Sequence, residues 1–177
     1  YPVNFYFHPE LENGGSGLVG TPGFTKFETI TSGGECRGLW ELDGKLYVVI
    51  GNSLYRYNGP GAVETCTGAL DTNTGPVFMC DNGTQMMIVD GVAGYYVTDI
   101  TLTKITDVNF PIPRALAYQD SYALVAQVGT GKFFISGIND FSTWDALDYT
   151  TAETEPDDAF SLISDHREIY VFGSVGT

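Results

Sequence analysis

The residues able to do chemistry are few and poorly grouped. Two histidines, His8 and His166, lie far apart, and neither has a cysteine, a histidine or a carboxylate at metal-ligand spacing. His8 sits in a Tyr/Phe/Pro-rich opening and His166 in a predicted hairpin turn, so both read as solvated side chains. Three cysteines, Cys36, Cys66 and Cys80, are odd in number and contain no C-x-x-C pair. They argue against a disulfide framework or a zinc site and predict buried, reduced thiols in a protein made in a reducing cytoplasm. The densest acidic group is Glu153, Glu155, Asp157 and Asp158 around Pro156. Paired carboxylates are the machinery of glycoside hydrolysis, but this group sits in an inter-unit connection. It lacks the alternating D-x-[DN]-x-[DN]-G spacing of a calcium loop. It reads as a solvated loop, with docking of a basic partner as the functional alternative. Gly14-Gly15-Ser16-Gly17 and Thr130-Gly131-Lys132 are fragments of phosphate-binding loops in turn contexts, and neither a P-loop nor a G-x-S-x-G elbow occurs. No catalytic, cofactor or metal residue is predicted, and the chain reads as a non-enzyme.

The elements that would position any site come from a repeat. Residues 37–51, 77–91, 115–129 and 160–173 each read as a short apolar strand, a polar turn, a stronger apolar strand and a glycine. The closing glycines Gly51, Gly91, Gly129 and Gly173 recur every 38–44 residues. Asp43-Gly44 and Asn82-Gly83 are tight-hairpin dipeptides, and Gln119-Asp120 and Asp165-His166 hold the matching places. The second strands, 46–50, 86–89, 122–128 and 169–172, are apolar on both faces and so must be covered on both sides. Third strands are predicted at 54–57, 95–98 and 133–136, and fourth strands at 63–67 and 102–105. A short helical turn is expected around 142–147. Antiparallel units of about 40 residues buried between neighbours are blades of a β-propeller. The expected fold is therefore all-β and propeller-like. Residues 1–34 form an N-terminal extended segment, and 35–177 form about four blades. The fourth unit ends after its second strand, which reads as an N-terminal portion of a larger propeller.

Bulk composition narrows the function. The formal charge is −14, from 8 Lys+Arg against 22 Asp+Glu. Such a surface repels phosphate and anionic lipid, so specific nucleic-acid binding and membrane binding are disfavoured. No apolar run is long enough to span a bilayer as a helix.

Several blocks together resemble a known family. They are Leu18-Val-Gly-Thr-Pro-Gly-Phe-Thr-Lys-Phe27, Arg37-Gly-Leu39, Gly44-Lys-Leu-Tyr-Val-Val49 and Asn52-Ser-Leu-Tyr55. The most specific are Phe141-Ser-Thr-Trp-Asp-Ala-Leu-Asp-Tyr-Thr-Thr-Ala-Glu-Thr-Glu-Pro-Asp157 and His166-Arg-Glu-Ile-Tyr-Val-Phe-Gly173. In order and spacing they resemble the packaged-DNA stabilisation protein of short-tailed bacteriophages, also called the tail accessory factor or tail hub. The opening Asn4-Phe-Tyr-Phe-His-Pro-Glu10 departs from that family by extra aromatic residues.

The resemblance implies a structural virion protein in the tail, made in the host bacterial cytoplasm. It implies a ring, a hexamer being one candidate, between the portal with its adaptor and the needle or plug, with tailspikes or fibres nearby. It carries over no catalytic residue and no cofactor. The docking candidates are Glu153, Glu155, Asp157 and Asp158, together with Arg114 and Arg167. Those two arginines are rare cations that could instead pair with carboxylates inside a blade. The alternative from another class is a glycan-binding or glycan-processing propeller, with Trp40, Tyr55, Tyr57 or Trp144 stacking on sugar. Only Ser142-Thr143-Trp144 echoes the Asp-box of sialidases, and the single Trp144-Asp145 falls short of a WD40 signature.

Overall fold

The structure, a computed structural model, describes residues 5–8, 17–21, 23, 26, 28–31, 33–151 and 158–173. Every regular element among them is a β-strand. β1 (Phe5–His8) pairs antiparallel with β2 (Gly17–Gly20). Three four-stranded antiparallel meanders follow. The first holds β3 (Cys36–Leu42), β4 (Lys45–Ile50), β5 (Ser53–Tyr57) and β6 (Val63–Thr65). The second holds β7 (Phe78–Asp81), β8 (Met86–Val89), β9 (Gly94–Thr98) and β10 (Thr101–Lys104). The third holds β11 (Pro113–Gln119), β12 (Tyr122–Gln127), β13 (Lys132–Gly137) and β14 (Asp140–Thr151). A two-stranded sheet of β15 (Ala159–Asp165) and β16 (Glu168–Gly173) closes the order.

The sheets stack face to face, and β8 shows why the sequence demands it. All four of its residues are fully buried. Side chains alternate across a strand, so Met86 and Ile88 enter a core with Tyr47, Val49 and Leu54 of the first sheet. Met87 and Val89 enter a second core with Leu116, Val125, Phe141 and Trp144 of the third sheet. β12 repeats the pattern, because Leu124 and Ala126 turn to Ala159 and Leu162 in a third core. Each such aliphatic side chain contributes about 1.5–3 kcal/mol on burial. The first strands β3, β7, β11 and β15 approach one another from sheet to sheet and form the inner edge of the stack.

Turn chemistry differs from expectation in informative ways. Asp43 (φ 53°) and Gly44 (φ 71°) form the predicted two-residue turn with both residues left-handed. Asn82-Gly83 does not, because only Gly83 (φ 84°) is left-handed. The loop is longer, with the Asn82 side-chain oxygen accepting from the backbone N–H of Thr84 (3.0 Å) and Gln85 (2.7 Å). The other two turns are shifted one residue along from their predicted places, to Asp120-Ser121 (φ 47° and 76°) and His166-Arg167 (φ 49° and 66°). No helical turn forms around 142–147. β14 runs through that segment as an irregular strand whose register against β13 shifts twice. Asp140 Oδ1 accepts from the Ser142 N–H (2.8 Å) and Asp145 Oδ1 from the Leu147 N–H (2.9 Å). These local bonds bulge the strand without starting a helix.

Candidate functional site

The antiparallel order gives the stack two rims. One carries the hairpin tips 43–44, 82–85, 120–121 and 166–167, with the outer turns 99–100 and 138–139. The other carries the turns between second and third strands and the crossings from one sheet to the next.

The connection rim is fastened by buried charge. Arg37, 9% exposed, donates from Nε to Gly75 O (2.7 Å), from Nη1 to Gly51 O (2.8 Å) and Thr72 O (2.7 Å), and from Nη2 to Thr72 Oγ1 (2.7 Å). Thr72 in turn donates from its hydroxyl (3.0 Å) and its backbone N–H (3.1 Å) to Asp90 Oδ2. Asp90 also accepts from Val92 N (3.0 Å), Ala93 N (2.8 Å) and the Tyr95 hydroxyl (3.1 Å). Burial works against its charge, but these N–H groups and the Thr72 donors prevail, and its carboxyl is held below the usual range. Tyr95 is pushed above the usual phenol range, chiefly by burial. Gly68 (φ +89°) runs so close to the second sheet that a Cβ there would stand 2.3 Å from Leu102 O. Four exposed apolar side chains, Val92, Val108, Ile112 and Val128, also lie on this rim.

The tip rim is acidic, with Glu41, Asp43, Asp99, Asp120, Asp165 and Glu168 exposed. Buried Arg56 fastens it, its Nε and Nη2 donating to Glu64 Oε2 (2.9 and 2.7 Å) and its Nη1 to Asp99 of the neighbouring sheet. Burial opposes the Arg56 charge, yet those two carboxylates hold its pKa above the ordinary guanidinium value. Between the tips, β3, β7, β11 and β15 line a cavity of about 400 Å³. Trp40, Asp81, Tyr118 and Ser164 supply its polar side-chain atoms; Trp40 Nε1 donates to Asp81 Oδ2 at 2.8 Å and the Ser164 hydroxyl to Gln119 Oε1 at 3.0 Å.

Of the predicted docking residues, Glu153, Glu155 and Asp157 lie outside the described residues. Asp158 is exposed just before β15, on the connection rim. Arg114 pairs with no carboxylate in the ion pairs of the described residues. Its guanidinium lies 4.4 Å from the centre of the Phe160 ring, fastening β11 to β15. Arg167 is at the opposite rim, 87% exposed and 3.9 Å from Asp120. The two arginines therefore belong to different surfaces. His166 Nδ1 lies 2.8 Å from Asp165 Oδ2 in the turn expected for a solvated histidine. Cys66 and Cys80 are buried as expected, whereas Cys36 is exposed. Burial raises the Cys66 thiol to about 11 and the Cys80 thiol further, which leaves both unreactive.

Of the four aromatics considered for sugar stacking, Trp144 and Tyr57 are buried and Trp40 and Tyr55 half-buried. Trp144 is 4% exposed, donates from Nε1 to Phe141 O (2.9 Å) and meets Phe110 edge-on at 4.9 Å. Tyr57 is buried, and Trp40 joins the first sheet to the second. Sequence reasoning missed Arg37 and Arg56 as structural fasteners. The signal was available: in a chain with 8 Lys+Arg, an arginine inside an apolar repeat unit must have buried partners.

Stacked four-stranded meanders with inner first strands define a β-propeller. Among the described residues no group of three or more His, Cys, Asp or Glu could hold a metal ion. The chain belongs to the family described as "Bacteriophage P22 Gp10, beta-propeller", which matches residues 1–177. That family comprises structural phage tail proteins that stabilise packaged DNA. No curated protein matches the chain.

Proposed function

We propose that the chain is part of a phage tail hub that joins the portal and its adaptor to the tail needle or plug and helps to retain packaged DNA. It works as a homo-oligomeric ring, a hexamer being the working stoichiometry, with tailspikes or fibres attached nearby. It is made in the host cytoplasm and ends in the virion tail. Membership of the family over residues 1–177 carries the reading.

The distribution of charge supports a mechanical role. Arg37 and Arg56 are buried and bonded, Lys104 pairs with Asp71 (2.6 Å), and Lys132 covers the Tyr149 ring at 4.4 Å. Lys45 lies 3.6 Å from Asp43, and Arg114 and Arg167 are engaged as above. Seven of the 8 Lys+Arg are thus engaged by groups of the chain itself, Lys26 is exposed, and the exposed charge is mostly carboxylate. An acidic wall repels phosphate, so DNA is held by closing its path and slides past on release.

The test uses DNA-filled phage heads that lack this protein. Adding the full-length protein with its adaptor is expected to render the genome nuclease-resistant, while the free protein passes through a DNA column at physiological salt. Heads that stay nuclease-sensitive would refute the hub role. Retention on the column would refute the mechanical account.

A further inference from the structure

We propose that the cavity between the hairpin tips is a receptor for one arginine side chain of a partner protein. The inference concerns this chain alone and stands whether or not the tail-hub reading does.

Its centre is Asp81, half-buried at the end of β7. Asp81 Oδ1 accepts from Gly83 N (2.7 Å) and Oδ2 from Trp40 Nε1 (2.8 Å). Both donors are neutral, and no Lys or Arg among the described residues forms an ion pair with it. The carboxylate is therefore fixed in direction and has no paired cation among the described residues. Trp40 and Tyr118 stand on the cavity wall with their polar atoms already used, the indole by Asp81 and the phenol by Asn139 Oδ1 at 2.9 Å. With the N–H and O–H engaged, neither ring has a donor left for a sugar hydroxyl, whereas an aromatic wall still suits a cation. Apart from Ser164, whose hydroxyl is spent on Gln119, the remaining wall is mostly apolar, with Met79, Leu116, Leu162 and Ile163, and is fit for the methylene stem of a long cationic side chain.

Charge selects the same occupant. Glu41, Asp43, Asp120 and Asp165 are exposed on the adjoining tips, so the field at the mouth draws cations and turns anions away. At about 400 Å³ the cavity is at the small end of ligand pockets, too small for a folded element and adequate for one side chain. Arginine fits better than lysine. Its planar guanidinium can stack on an aromatic face while its edge meets a carboxylate.

The experiment follows the indole N–H resonances of the isotope-labelled full chain during titration with N-acetyl-arginine amide. A saturable shift of Trp40 is expected, with Trp144 unmoved as the internal reference. The neutral isostere N-acetyl-citrulline amide should leave both unmoved. Asp81→Asn keeps an acceptor for the Trp40 indole and should weaken binding about tenfold. Trp40→Phe, followed on Tyr118, should weaken it about threefold. Asp43→Asn, out on a tip, should change it less than about twofold at physiological salt. Equal shifts with citrulline, unchanged affinity in Asp81→Asn, or no saturable shift up to the solubility of the probe would each overturn the proposal. If loss of the Trp144 reference resonance shows that Asp81→Asn is unfolded, Trp40→Phe decides, and full affinity there overturns it equally.

Discussion

The tip rim and the connection rim are two edges of the same sheets, yet different physics closes them. At the tips the chain reverses within two residues at Asp43-Gly44, Asp120-Ser121 and His166-Arg167, where local φ angles do most of the work and Arg56 adds a long-range tie to Asp99 of the next sheet. At the connections it must leave one sheet and enter the next, so long-range bonds do the work through Arg37, Thr72, Asp90 and the close approach at Gly68. Local closure leaves the tip side chains in water, where they are free to take up charge. Long-range closure consumes its charges inside the protein. Sheet order should therefore depend mainly on the connection rim, with Arg56 and Trp40 as the ties at the other edge, and recognition on the tip rim.

The largest break in that contrast should come from Arg37→Met. It strands the buried carbonyl of Gly51 and the half-buried carbonyl of Thr72, releases that of exposed Gly75 to water, and should cost about 4 kcal/mol in urea unfolding. A loss near zero would show that Arg37 does not fasten this rim. Gly68→Ala comes next, at about 3 kcal/mol, because strain at positive φ adds to collision with Leu102 O. Gly44→Ala, with open space around its Cβ position, should cost only about 1 kcal/mol. Equal losses at the two glycines would erase the distinction between the rims.

Acid should act on the connection rim through Asp90. Its folded pKa is lowered, so its stabilisation is fully present above the unfolded value of about 3.9 and is lost as pH falls through the folded value. Thermal unfolding from pH 5 downward should fall less steeply in Asp90→Asn than in the parent chain, and parallel curves would remove Asp90 from the account. The smallest effect, and the one of opposite sign, belongs to the tips. Ser121 (φ 76°) occupies the place that Gly44 fills in the first sheet. Ser121→Gly should stabilise by about 0.5 kcal/mol, and a loss there would mean that the serine side chain does more than tolerate the turn.

How much of this was visible in the chain follows the same division. The repeat, the second strands and the two-sided burial of Met86–Val89 could be read directly, because they rest on local pattern and period. The turns could be placed to within a residue. Asn82-Gly83 misled because its dipeptide suits a two-residue turn, while the Asn82 side chain instead caps a longer loop. β14 misled because Asp140 and Asp145 carry the side-chain bonds that also begin helices. The fasteners and the cavity could not be read, since Arg37 meets Thr72 and Trp40 meets Asp81 only after the sheets have stacked. Arg114 was noticed as a rare cation, but its partner is an aromatic ring of the next sheet rather than a carboxylate.

The alternation along β8 carries a mechanical consequence. Met86 and Ile88 belong to one core, Met87 and Val89 to the next, and β12 passes the arrangement on. The second and third sheets own no private interior, so neither can melt without opening the cores of its neighbours. Slow amide exchange in β8 and β12 should report only opening of the whole stack. Under load such a body does not yield link by link. It holds its shape up to a threshold and then fails as one piece, a brittle response suited to a part of the tail that keeps packaged DNA in place.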